Sequence, residues 1–262
     1  MQRGRRGRGD SDNRIAGKII MPKTYADIPY GEKPAQKLDI IVGESDKTVV
    51  YIHGGGLTGG DKKTDFPLIK ELSKKGYSIV SVGYTLYPEA KFPDFINDCA
   101  LVLRFIVDNA EKYGYGDKIS IVGGSAGAYI TLMLFFDERY LSAVGLTTSD
   151  FVGFLSDSAQ PTTHFNVLKE RGEPTYAIRV DAAAPLYFIK EKNYGAKLFV
   201  VTYTDDMFCR KEQNEVLDKT LISYGVEHEF FLLDGGHCSG EWEDENGTVR
   251  LVPIVEKLFG NE

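Results

Sequence analysis

The chain has 262 residues, 42% of them hydrophobic and 26% charged, with a formal net charge of −7. That length suits one large domain with a well-buried core, the composition is ordinary for a soluble globular protein, and the negative balance argues against general nucleic-acid binding. No apolar run approaches the ~20 residues needed to span a bilayer, and three cysteines (Cys99, Cys209 and Cys238) cannot all pair within one chain.

An odd number of cysteines points to reduced thiols and a cytoplasmic protein, with one disulfide and one free thiol as the alternative. At the amino terminus, five arginines and Lys18 against two aspartates leave residues 1–18 at +4 and the remainder at −11. The Arg/Gly run from Arg3 to Gly9 reads as a disordered basic tail. It has no apolar segment behind it, so it is not a secretory signal.

From there the pattern alternates. Lys37–Val42 reads as an edge strand, and Thr48–Ile52 as a buried strand running into a glycine cluster. Phe66–Lys75 predicts a helix stopped by Gly76, and Tyr77–Val82 a strand. Phe92, Phe95, Ile96, Cys99, Val102, Leu103 and Ile106 recur at steps of three and four, one apolar helix face, with Pro93 in the first turn and Gly114 past the end. Lys118–Val122 is a strand and Ala126–Phe136 a helix. Lys197–Tyr203, Lys211–Tyr224, Glu227–Leu233 and Val249–Phe259 then read as strand, helix, strand and helix. The alternation predicts an α/β fold, a mainly parallel sheet with helices on both faces. Residues 149–185, rich in Ser, Thr, Asp and Pro, break the rhythm and read as a small cap insertion. Residues 19–262 are expected to form a single domain around it.

Gly123-Gly124-Ser125-Ala126-Gly127 sits between a predicted strand and a predicted helix. There a Gly-x-Ser-x-Gly turn exposes a serine hydroxyl at the carboxyl end of a sheet, above a helix amino terminus that favours negative charge. Ser125 is therefore the candidate nucleophile. His53-Gly54-Gly55-Gly56 follows the strand ending at Ile52, and its glycines free backbone N–H groups to turn toward one point. Gly55 and Gly56, with the N–H of Ala126, are the candidate oxyanion donors. Of four histidines, His237 alone follows the serine on a glycine loop at a strand end, so it is the candidate base. His53 is expected to hold its own loop by hydrogen bonding. Asp205 and Asp206, adjacent after the strand 197–203, are both candidates for the acid that orients the base. No Cys–Cys or Cys–His spacing suits zinc, and no metal or cofactor is expected.

These motifs resemble the bacterial esterase/lipase branch of the α/β-hydrolases related to hormone-sensitive lipase. The resemblance extends to Asp27–Gly31 with Gln36–Asp39, to Tyr84-Thr85-Leu86-Tyr87-Pro88-Glu89 followed by Phe92-Pro93 and Asp98, and to Ala184-Pro185-Leu186. In that family a glutamine follows the acid by seven residues, which fits Asp206 with Gln213 and not Asp205. The sequence departs from the family pattern at Gly124, where Asp is common, at Leu57 in place of an aromatic, and at Thr85 and Tyr87. The resemblance implies the α/β-hydrolase fold and a serine carboxylesterase that needs no cofactor and acts on a small-molecule ester without nucleic acid or membrane, a homodimer being left open. An amide hydrolase of formamidase or peptidase type, a carbohydrate acetyl or feruloyl esterase, and a non-catalytic binding homologue are the alternatives.

Overall fold

The computed structural model of the protein describes residues 23–63 and 65–260; the predicted basic tail lies outside them. Eight strands form one sheet: β1 (Thr24–Pro29), β2 (Lys37–Ile41), β3 (Lys47–Ile52), β4 (Ser78–Val82), β5 (Lys118–Gly124), β6 (Gly153–Asp157), β7 (Lys197–Asp205) and β8 (Glu229–Gly236). Their spatial order is β1-β2-β4-β3-β5-β6-β7-β8. β1 and β2 run antiparallel and every pairing from β4 to β8 is parallel. The mainly parallel sheet expected from the alternation is thus present, arranged as the family resemblance implies.

The helices are α1 (Pro67–Lys74), α2 (Asp94–Tyr113), α3 (Ala126–Phe136), α4 (Glu138–Ala143), α5 (Phe165–Glu170), α6 (Arg210–Ser223) and α7 (Leu251–Leu258). Successive strand residues point to opposite faces, so Val50 and Ile52 of β3 join a core with α2, α3 and α6. Val49 and Tyr51 join a second core with α1 and α7. Every residue of α3 is buried, which explains its unbroken apolar sequence: it is wrapped by protein on all sides. The predicted face of α2 is buried as read, and Gly114 ends the helix in the left-handed region at φ 84°.

Two expectations are corrected. Lys37–Ile41 is not an edge strand, because β1 pairs along its outer side. The supposed insertion 149–185 contains β6, a central strand hydrogen-bonded between β5 and β7. Its Ser156 and Asp157 hide the strand in the sequence, yet all five of its residues are buried. What covers the carboxyl ends of the strands is the stretch from Ser158 onward, with α5 as its only α-helix. Elsewhere the blocks shared with the esterase family converge on buried Asp98. Gln36 Nε2 donates to Asp98 Oδ1 at 2.7 Å, and the Thr85 N–H donates to Oδ2 at 3.0 Å. Among the described residues no helix is long and apolar enough to cross a membrane.

Candidate active site

The loops after β3, β5, β6, β7 and β8 meet where ligands bind in open α/β sheets, at the carboxyl ends of parallel strands. Ser125 lies between β5 and α3 at φ 54° and ψ −112°, a conformation that non-glycine residues rarely adopt. The glycines around it are there for close approach. A Cβ on Gly127 would collide with the Ile52 carbonyl, and one on Gly123 with the Gly127 carbonyl and the Thr131 hydroxyl. The Ser125 N–H donates to the Asp157 carbonyl at 2.8 Å, which ties the turn to the end of β6.

His237 Nε2 lies 2.8 Å from Ser125 Oγ, and its Nδ1 lies 2.5 Å from Asp206 Oδ1. A carboxylate only accepts, so Nδ1–H donates to Asp206 and Nε2 is left to accept from the serine hydroxyl. Of the two candidate acids, Asp206 faces the base, while Asp205 is exposed and closes the backbone pairing with Gly236. Burial raises the Asp206 pKa. Hydrogen bonds from His237, Ser158 and the Met207 N–H outweigh that and hold the carboxyl below its ordinary range. Gln213 Oε1 accepts from the Thr162 hydroxyl at 2.7 Å, joining α6 to the cap rather than touching the acid.

The glycine loop packs directly on the nucleophile: a Cβ on Gly54 would stand 3.0 Å from Ser125 Cβ. Gly55 and Gly56 have φ of 103° and 62°, conformations that glycine adopts without cost. Their N–H groups and that of Ala126 donate to no other group among the described residues. His53 has the supporting part expected of it. Its Nδ1 lies 2.7 Å from the Gly54 carbonyl and its ring stacks on Tyr84 at 4.4 Å, while burial lowers its pKa and keeps it neutral. Of the other histidines, His164 caps α5 and is held down to a pKa of about 3 by burial. His228 pairs with Asp218.

Three further residues belong to the site and have no motif to announce them. Ser158 sits at φ 57°, accepts from the Cys238 N–H at 3.2 Å and bonds to Asp206, so it braces both acid and base. The Asn166 amide donates to the Gly56 carbonyl, joining α5 to the glycine loop. Glu241 closes the wall beside Gly124. The first of these could have been sought at the end of β6 had that strand been recognised; no local signal marks the others.

Ser125, His237, the glycine loop, Asn166 and Glu241 line one cleft of about 700 Å³, open to solvent, with Phe165, Met207 and Lys169 also on its wall. Phe151 and Phe154 belong to the core, Tyr176 is exposed, and half-exposed Trp242 packs near Phe66. The three cysteines are unpaired. Asp157, Cys238 and Glu241 place donor atoms within 4.8 Å of one another, and they form the one cluster of three such donors among the described residues.

The profile of the BD-FAE family matches residues 38–168. The chain is 30% identical over 249 residues to a kynurenine formamidase of Danio rerio, covering 91% of this chain and 83% of that protein. It is 27% identical over 128 residues to an acetyl esterase of Salmonella paratyphi B, a match that spans 47% of this chain and only 37% of that enzyme. Its fold superposes on an inhibited Esterase B of Lactobacillus Rhamnosis with a TM-score of 0.76 at 18% identity, over 92% of this chain and 87% of that one.

Proposed function

Because the chain belongs to the esterase/lipase family of α/β-hydrolases related to hormone-sensitive lipase, we propose that it is a serine carboxylesterase for small, short-acyl esters, with Ser125, His237 and Asp206 as its catalytic residues. One observation carries the reading: the unbroken path of contacts from Ser125 Oγ through the imidazole to Asp206, 2.8 and 2.5 Å long. His237 takes the serine proton as Oγ attacks the ester carbonyl. The N–H groups of Gly55, Gly56 and Ala126 hold the oxyanion, and Asp206 fixes the histidine tautomer and stabilises its imidazolium. His237 then protonates the leaving alcohol, and water releases the acyl group by the reverse route. No metal or cofactor enters these steps. The unpaired cysteines suit a reducing, cytoplasmic setting.

Ser125→Ala tests it. The variant should fold normally and lose on the order of 10⁴–10⁶ in kcat on p-nitrophenyl butyrate. Retention of a tenth of wild-type turnover would refute the assignment. A second reading, amide hydrolysis on the same residues, is supported by the relationship over most of the chain to a kynurenine formamidase. A matched ester and formamide separate the two: the amide reading requires the higher kcat/KM on the formamide.

A further inference from the structure

The residue before the nucleophile is Gly124, where related esterases commonly carry Asp. The space a side chain would need there is already taken. A Cβ on Gly124 would run into Oε1 of Glu241 and lie 3.0 Å from the Tyr51 hydroxyl. Glu241 arrives from the other side of the site, on a short 3-10 turn (Ser239–Glu241) just after the base, and its side chain is buried. The Tyr51 hydroxyl stands 3.0 and 2.9 Å from its two carboxyl oxygens.

Behind it lies a second buried carboxyl. Asp157 Oδ2 accepts from the Tyr203 hydroxyl at 3.2 Å, whereas Oδ1 has no partner among the described residues. One oxygen of each carboxyl lies within 4.8 Å of the other and of Cys238 Sγ. Two carboxylates this close and this dry do not both ionise. The groups facing them are Tyr51 from β3, Tyr203 from β7, Cys238 beside the base and, beyond Asp157, Asp206; none is a cation. Burial, then the charge of Glu241, pushes Asp157 well above the carboxylate range, and burial pushes Glu241 up to about 7.

We propose that Glu241 is a positioning residue of the esterase site: its carboxyl supplies, from a different segment, the wall that Gly124 leaves out beneath the nucleophile, and it serves there in its uncharged form. The inference rests on Ser125 as the nucleophile. It gives the proton that burial keeps on Glu241 a purpose. The oxyanion forms on the group bonded to Ser125, next to Gly124, and an ionised Glu241, itself buried, would oppose that charge. Once rising pH strips the proton from Glu241, turnover should fall.

The test is the pH profile of kcat and KM on p-nitrophenyl butyrate, from about pH 5 to about pH 10, for wild type, Glu241→Gln, Glu241→Ala, Gly124→Asp and the double variant Gly124→Asp/Glu241→Ala. Wild-type kcat should fall at least ~10-fold on the alkaline side, and Glu241→Gln, which keeps the shape without the titrating group, should show no such fall. Gly124→Asp should lose at least ~10²-fold in kcat because two carboxyls compete for one space, and adding Glu241→Ala should return at least ~10-fold of it, with KM little changed. An alkaline fall that survives in Glu241→Gln, or a Gly124→Asp that works as well with Glu241 present as without it, overturns the inference. Ser125→Ala, measured alongside, keeps the two claims apart: its inactivity together with an unchanged profile in Glu241→Gln sinks only the role of Glu241, whereas its activity sinks the serine reading.

Discussion

At the scale of single residues, the site is assembled from groups held by their neighbours more than by their own preferences. Asn166 illustrates this, because its amide alone joins α5 to the carbonyl of Gly56. Asn166→Ala should free the glycine loop and lower kcat about 10-fold, the equivalent of one hydrogen bond of ~1.4 kcal/mol, with the melting temperature little moved; steady-state kinetics beside a thermal scan would check it. Gly127→Ala should fail differently. The new Cβ would meet the Ile52 carbonyl, so the cost falls on folding, about 3 kcal/mol or more in urea unfolding. Acidification probes stability. Asp206 titrates below its ordinary range, so the stability it lends is present above that range and is lost only as pH falls through the depressed value. Circular dichroism should therefore stay unchanged through mild acid and begin to change only below the ordinary carboxylate range, as an acid titration would check. The triad positions were legible in the sequence because chain order and glycine spacing are local. Ser158 and Glu241 were not, since their partners lie far along the chain: Tyr51 and Glu241 are 190 residues apart.

At the scale of elements, legibility followed burial. Strand β3 is covered on both faces and reads as a short apolar run, and α2 showed its buried face through the spacing of its large side chains. Leu103, fully buried on that face, should cost about 2–5 kcal/mol on truncation to alanine, measured as a shift in urea midpoint at constant m-value. β6 escaped because Gly153-Phe154-Leu155-Ser156-Asp157 carries polar residues into the sheet, a choice that serves the site rather than the fold. Asp157 there carries the carbonyl that receives the Ser125 N–H and the carboxyl that faces Glu241. Sequence patterns report the core, and an element that gives up apolar character for function drops out of the pattern.

At the scale of the whole molecule, one strand order brings five loops to a single cleft, and the cover over it is small. With α5 the only α-helix between β6 and β7, there is little material to enclose a long chain. Acyl groups should gain ~0.8 kcal/mol per methylene only while the cleft has room. p-Nitrophenyl acetate to butyrate should exceed the decanoate by at least ~10-fold in kcat/KM. A profile rising to long chains, with activation at an oil–water interface, would contradict that. The nucleophile itself stands on α3, which has no face toward solvent. Beyond the free N–H of Ala126 at the cleft, no partial opening can wet such a helix while the sheet and its flanking helices stay in place, so its hydrogen-bonded amide protons exchange with deuterium only when the entire chain lets go. The exchange rate of α3 is then a gauge of global stability, and the reactive serine rides on the segment of the protein that is last to see heavy water.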